Sequence, residues 1–136
     1  MLALVFWPWL KLRIGGRVLG RRFGTDINRS AGQLFSGPYK KVGKILYGDS
    51  LQTLSEFKKQ IDLFINDSDH SSEYEHREYL QIQKNLGPRS IILGDNAHVS
   101  DSLIRFSREN SRKFYFFKEE PSDHWYPGAG IGVSLP

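Results

Sequence analysis

An α/β three-layer sandwich on a mostly parallel sheet is the fold class that this chain of 136 residues predicts. Three observations carry the expectation. Short apolar runs alternate with amphipathic stretches along the whole chain. Two of the runs, Ile61–Asn66 and Ser90–Gly94, hold the near-continuous apolar residues of strands covered on both faces. The last two runs have no helical pattern between them, so they close as an antiparallel pair. The length fits one domain of the usual ~100–200 residues, spanning 1–136.

The elements follow in order. Met1–Leu10 is an apolar run of about ten residues, half of the ~20 that a bilayer span requires. Lys11 and Arg13 follow it rather than precede it, and no small-residue cleavage site appears, so it does not read as a secretion signal. Residues 1–16 are expected to be a buried helix or a poorly ordered start, in a cytoplasmic protein. The expected strands are Arg17–Leu19 extending toward Phe23, Lys44–Tyr47, Ile61–Asn66, Ser90–Gly94, Lys113–Lys118 and Ile131–Leu135. Leu51–Gln60 places Leu51, Leu54 and Phe57 at helical spacing, with Ser50 as its cap. Glu73–Asn85 is helical in composition and stops at Gly87-Pro88. Asp101–Asn110 puts Leu103, Ile104 and Phe106 on one side, capped by Ser100 or Asp101.

Composition narrows the function classes. A chain that is 39% hydrophobic and 25% charged is neither disordered nor collagen-like. Without cysteine there is no disulfide scaffold, thiolate nucleophile or Cys-ligated zinc. Residues 1–44 carry nine Lys/Arg against the single acid Asp26, while the rest holds ten basic and fourteen acidic residues. No nucleic-acid motif accompanies that basic arm, so it reads as a solvated face and no specific nucleic-acid partner is expected.

Ligands of such sheets bind beyond the carboxyl ends of the strands. Each of the first four long runs ends there in an acid: Asp26, Asp49, Asp67 with Asp69, and Asp95. A carboxylate at a strand end can accept both hydroxyls of a ribose, which makes Asp26 and Asp49 candidates for nucleoside recognition. Asp67 and Asp95 stand one strand–helix–strand unit apart, which brings them to neighbouring loops. With the Asn96 amide oxygen they form an all-oxygen set suited to Mg²⁺ or another hard divalent cation. Asp69 is the candidate general base, and His70 beside it shares that role or orients the loop. His98 is a candidate metal ligand or a backbone-bonded loop residue. His76, among Glu73, Glu75 and Glu78, reads as solvated, and His124 as part of an aromatic loop that covers a substrate or closes the sheet edge.

Three strings together resemble the class I S-adenosylmethionine-dependent methyltransferases: Tyr47-Gly48-Asp49-Ser50-Leu51, Ile61-Asp62-Leu63-Phe64-Ile65-Asn66-Asp67-Ser68-Asp69-His70, and Ser90-Ile91-Ile92-Leu93-Gly94-Asp95-Asn96. The Asp67 and Asp95-Asn96 pattern is most similar to the metal-dependent O-methyltransferases, over roughly residues 17–136. The resemblance implies a Rossmann-like sandwich and S-adenosylmethionine as cofactor. It places Asp26 at the ribose, Asp49 and Ser50 at the adenine, and Asp67 beside the cofactor. It also implies a divalent metal at Asp67, Asp95 and Asn96, Asp69 as base, and a small molecule or sugar bearing a hydroxyl as acceptor.

One part of the family pattern is missing. Its first strand and Gly-rich E/D-x-G-x-G loop have no counterpart here, and Gly15-Gly16 does not replace them because no strand run precedes it. Met1–Ile14 then reads as a remnant of the helix after that loop, in a domain incomplete at its N-terminus. In the family's sheet order the absent strand lies between the strand ending near Asp26 and the one ending at Asp67. Its absence leaves two inner edges unpaired, which favours homo-oligomers. Three functions stay open on the residues alone: a methyltransferase acting on a hydroxyl, a metal-dependent hydrolase using Asp67, Asp69, His70, Asp95, Asn96 and His98, and a non-catalytic methyltransferase relative. Cofactor binding separates the first from the others.

Overall fold

The carboxyl ends of four strands, two parallel pairs drawn from two separate sheets, position the loops on which the acids sit. The computed structural model describes residues 13–14, 17–18, 21–32, 36–69, 71–95, 97–120 and 129–136. The first sheet pairs β3 (Arg22–Asp26) with β4 (Gly43–Tyr47) in parallel, from Arg22 opposite Gly43 to Asp26 opposite Tyr47. The second has the order β5 (Ile61–Asn66), β6 (Leu86–Gly94), β8 (Gly130–Leu135), β7 (Lys113–Lys118). β5 and β6 are parallel, and β8 runs antiparallel to both β6 and β7. This is the expected α/β class with its closing antiparallel pair. Among the described residues no strand pairs with the second edge of β3 or of β5.

A small hairpin precedes these sheets: β1 (Arg13–Ile14) pairs antiparallel with β2 (Arg17–Val18). Two expectations change with it. Arg13–Ile14 is strand rather than the end of a helix, while residues 1–12 lie outside the described residues. Arg17–Val18 also does not run on into the long parallel strand, which starts at Arg22. Val18 and Leu19 carry the obvious apolar signal, whereas β3 packs through Phe23 and the small, buried Gly24 and Thr25, a pattern too short to read.

Three helices connect and cover the strands. α1 (Ser50–Glu56) is shorter than expected, because Phe57 turns extended and leaves the helix to join the core. α2 (Ser72–Ile82) tightens into a 3-10 turn over Gln83–Asn85. β6 then begins at Leu86, so Gly87 and Pro88 lie inside a strand instead of beyond a helix. Leu86 pairs with Ile61, the register slips before Leu63 pairs with Ile91, and Pro88 falls within that irregular stretch. A residue with no N–H is tolerated in such an irregularity. α3 (Ser102–Glu109) follows Asp101, whose carboxylate accepts from the Ser72 hydroxyl at 2.9 Å rather than capping its own helix.

The core is Leu54, Ile61, Phe64, Tyr79, Ile82, Ile92, Leu103 and Phe106. Tyr79 is its centre: it is fully buried, with ring centroids 5.6 Å from Phe106 and 6.3 Å from Phe64. Phe23 of β3 meets Phe57 edge-on at 5.1 Å and so joins the first sheet to this core. The helices pack on one face of the four-stranded sheet, over Phe64, Ile92 and Ser134. The opposite face presents Leu63, Ile91, Ile131, Tyr115 and Phe117, all exposed among the described residues. The described residues therefore supply the sheet and one helical layer of the sandwich.

Close approach of α3 requires glycine on β8. A β-carbon at Gly132 would lie 2.8 Å from that of Ala97 and 3.1 Å from Leu103 Cδ2. Gly132→Val is expected to cost roughly 1–3 kcal/mol through overpacking, read as a fall of several degrees in thermal melting.

Candidate active site at the strand ends

β3, β4 and the loop after β5 enclose a cleft of about 220 Å³, lined by Thr25, Asp26, Ile27, Gly48, Asp49, Ser50, Asp69 and Tyr74. Its geometry begins with the backbone. Gly48 N–H donates to the Asp26 carbonyl at 2.9 Å, which ties the ends of β3 and β4 together. Gly48 turns there at φ +149°, a conformation that side-chain-bearing residues rarely adopt. The chain then enters α1 with Asp49 as N-cap, its Oδ1 accepting Gln52 N–H at 3.1 Å. Asp49 Oδ2 accepts from the Tyr74 hydroxyl at 2.8 Å, so both oxygens of this exposed carboxylate are oriented.

Asp26 is 4% exposed, and its Oδ1 accepts Asn28 N–H at 2.8 Å in a tight turn after the strand. Beside it, the Thr25 and Thr53 hydroxyls are 2.6 Å apart. Asp69 is exposed and accepts Ser71 N–H at 3.0 Å. Ser50 lines the cleft but does not cap α1. Its buried hydroxyl bonds to Tyr74 Oη at 2.9 Å and to Glu78 Oε1.

Glu78 is fully buried behind this wall, and its Oε2 accepts Asn66 Nδ2 at 2.9 Å and bonds to the Ser68 hydroxyl. Burial pushes the Glu78 carboxyl up from its ordinary range, against the opposing pull of these hydrogen bonds. Tyr74 is also pushed up, mainly by burial.

Four expected site residues thus meet in one cleft: Asp26, Asp49, Ser50 and Asp69. Asp67 and Asp95 stand apart from it, on adjacent strand ends. Asn66 is in register with Gly94, and Asp95 N–H donates to the Asn66 carbonyl at 2.8 Å. The next residue on each strand, Asp67 and Asp95, therefore leaves neighbouring strands about 4.8 Å apart. That placement suits two oxygen ligands of one cation. Asn96 and His70 lie outside the described residues, as does His124. Among the described residues no three His, Cys, Asp or Glu side chains converge as a metal site would require. His98 is exposed and lines a second cleft of about 380 Å³, with Ala97, Val99, Ser100, Asp101, Ile104, Phe114 and Phe116.

His76 is a correction. It is buried rather than solvated, and its Nδ1 accepts from Arg105 Nε at 3.3 Å while Nε2 lies 3.5 Å from Glu109. Tyr74 and Glu78 were not among the expected site residues. They are four residues apart on α2, so they share a helix face, and that spacing was the available signal.

A family model described as a methyltransferase domain matches residues 8–97, roughly two thirds of the chain. The chain belongs to this methyltransferase family. The resemblance to class I S-adenosylmethionine-dependent methyltransferases, first read from three short strings, is thereby established. Among solved structures, the O-methyltransferase from Bacillus cereus in complex with SAH is similar in fold, with a TM-score of 0.66 at 14% identity. That match covers 86% of this chain and 63% of the other. A candidate O-methyltransferase from Klebsiella pneumoniae matches with a TM-score of 0.51 at 15% identity, covering 71% of this chain and 50% of that one. This methyltransferase chain therefore spans between half and two thirds of the length of these structures. No curated protein matches it. No helix among the described residues is long and apolar enough to cross a membrane.

Proposed function

We propose that this methyltransferase domain binds S-adenosylmethionine in the cleft at the ends of β3, β4 and β5, and serves methyl transfer to a hydroxyl of a small molecule or sugar. The observation that carries this reading is the convergence of Asp26, Asp49 and Asp69, from three separate strand ends, on one cleft. Asp26 is assigned the ribose hydroxyls and Asp49 the adenine. Ser50 acts from behind, since its hydroxyl is engaged with Tyr74 and Glu78.

When bound, the cofactor supplies a methyl group carried on a sulfonium sulfur. Each transfer to a hydroxyl releases one proton, and Asp69, exposed at the mouth of the cleft, accepts it. His70 follows Asp69 directly and is assigned to support that base. Most of the rate comes from holding acceptor and cofactor in line, which is the work of the cleft walls. Asp67 and Asp95, with Asn96, would hold a divalent cation, whose chemistry is to lower the pKa of the acceptor hydroxyl and orient it.

The metal assignment has its own test. Calorimetric titration with Mg²⁺ or Mn²⁺ is expected to show binding to the parent chain and a loss of tenfold or more in Asp95→Ala, on the order of one charged ligand. An Asp95→Ala variant that binds either metal as tightly as the parent contradicts it. For the cofactor, saturable binding of S-adenosylhomocysteine that Asp26→Ala weakens supports the reading. Binding that is indifferent to Asp26 refutes it.

A further inference from the structure

We propose that Glu78 carries a proton at neutral pH and, through Ser50 and Tyr74, acts as the positioning residue for the Asp49 carboxylate in the nucleoside cleft. The functional half of this inference rests on the reading of the cleft given above. The proton itself rests on a count of hydrogens.

Four oxygens form a chain of three contacts: Asp49 Oδ2 to Tyr74 Oη at 2.8 Å, Tyr74 Oη to Ser50 Oγ at 2.9 Å, and Ser50 Oγ to Glu78 Oε1. Tyr74 and Ser50 contribute one hydrogen each. Three contacts need three. On the other side of Glu78, the single hydroxyl hydrogen of Ser68 is shared between Glu78 Oε2 and Asn66 Oδ1, the latter at 2.9 Å. Asn66 Nδ2 and the Ser68 N–H complete that side, so it has no hydrogen to spare for Ser50. With both carboxylates ionised, one contact of the chain sets two lone pairs face to face.

One added proton resolves the chain, and two carboxylates could hold it. Asp49 is exposed and solvated, whereas Glu78 has no exposed surface. An isolated charge is costly where water is absent, so the proton belongs on Glu78. Its surroundings agree. Burial is the main influence that raises it, and the charge of Glu75, one turn earlier on α2, adds to that. The end of β5 faces it with the neutral Asn66 and Ser68, and the start of α1 with Ser50, beyond which stand Tyr74 and Asp49.

A direction follows. Glu78 Oε1–H donates to Ser50, Ser50 donates to Tyr74, and Tyr74 donates to Asp49 Oδ2. Deprotonation reverses every donor: Ser50 turns to Glu78, Tyr74 turns to Ser50, and Asp49 loses its bond. Among the described residues, Gln52 N–H alone then holds the cleft carboxylate. Neutral glutamine in place of Glu78 keeps the forward direction at every pH, since its amide N–H can donate to Ser50 while its carbonyl accepts from Asn66.

Difference infrared spectra of the parent chain against Glu78→Gln at neutral pH test the proton directly. The expected result is a protonated-carboxyl carbonyl band in the parent that Glu78→Gln removes and Asp49→Asn retains. Absence of the band, or its loss in Asp49→Asn, overturns the assignment. Coupling is read without ligand from the Asp49 carboxylate ¹³C resonance. It is expected to move as Glu78 titrates in the parent and not in Glu78→Gln; a resonance that ignores Glu78 overturns the positioning role. With S-adenosylhomocysteine, affinity is expected to fall roughly tenfold once Glu78 deprotonates, the scale of one lost bond to a charged group, and to stay flat in Glu78→Gln. Glu78→Leu, which fills the space but donates nothing, is expected to bind weakly at all pH values, and rescue by Gln but not Leu separates positioning from packing. If the ligand fails to bind at any pH, the cofactor reading falls while the infrared and ¹³C results still decide this one.

Discussion

Asp26→Ala is expected to weaken binding of adenosine and of S-adenosylhomocysteine by roughly 30-fold or more, equivalent to about 2 kcal/mol for hydrogen bonds to a charged acceptor. Asp26 is nearly buried at the end of β3, fixed by the Asn28 N–H and by the Gly48 N–H on its own carbonyl. A carboxylate so held needs little reordering to accept two hydroxyls, which is why its loss should outweigh that of the exposed Asp49. The same logic limits the parent. No Gly-rich E/D-x-G-x-G loop stands in this sequence to approach the amino-acid portion of the cofactor. Adenosine and S-adenosylhomocysteine should therefore bind within about threefold of each other, both weakly. Close backbone approach and several N–H donors are hard for side chains to imitate. Micromolar affinity for S-adenosylmethionine in residues 1–136 would show that reasoning to be wrong.

The second large effect concerns association. Parallel β5 and β6, with β8 and β7, present Leu63, Ile91, Ile131, Tyr115 and Phe117 on the face away from the helices. At about 25 cal/mol per Å² of apolar surface buried, joining two such faces offers several kcal/mol. The second edges of β3 and β5, which no strand among the described residues pairs with, add backbone donors and acceptors that seek partners. The purified chain is expected to run as a dimer or larger species in light scattering. Paired Ile91→Lys and Ile131→Glu substitutions are expected to shift it toward 15.7 kDa monomer. A monodisperse monomer from the parent would mean that this face and these edges are satisfied within the chain.

Acid–base behaviour gives a further check. Since burial raises the Glu78 carboxyl, the folded chain holds that proton to higher pH than the unfolded one. Its stability contribution is complete below the ordinary carboxylate value of 4.5 and declines as pH rises toward the raised value. Thermal melts of Glu78→Gln should lack that part of the decline.

Much of the fold was legible because β3 and β4, and β5 and β6, pair in parallel, although the four-stranded sheet as a whole has more antiparallel than parallel pairings. Strands such as Ile61–Asn66 announce themselves as apolar runs, and the acids beyond them stand out against those runs. β3 was misplaced because its packing residues are small, and α1 was overextended because Phe57 continues a helical spacing it does not follow. The cleft acids were visible one by one. Their supports were not: Glu78 looks like surface charge until α2 is seen to turn it inward, with Tyr74 one turn away. His76 misled in the same way, since among acidic neighbours nothing in the sequence tells which helix face is buried.

Amide chemical-shift mapping of the isotope-labelled chain during titration with S-adenosylhomocysteine tests the central assignment most directly. The cleft predicts the largest movements at Thr25, Asp26, Ile27, Gly48, Asp49, Ser50, Asp69 and Tyr74. Movements confined to Ala97–Asp101 and Phe114, around the second cleft, or no movement at millimolar ligand, would contradict it.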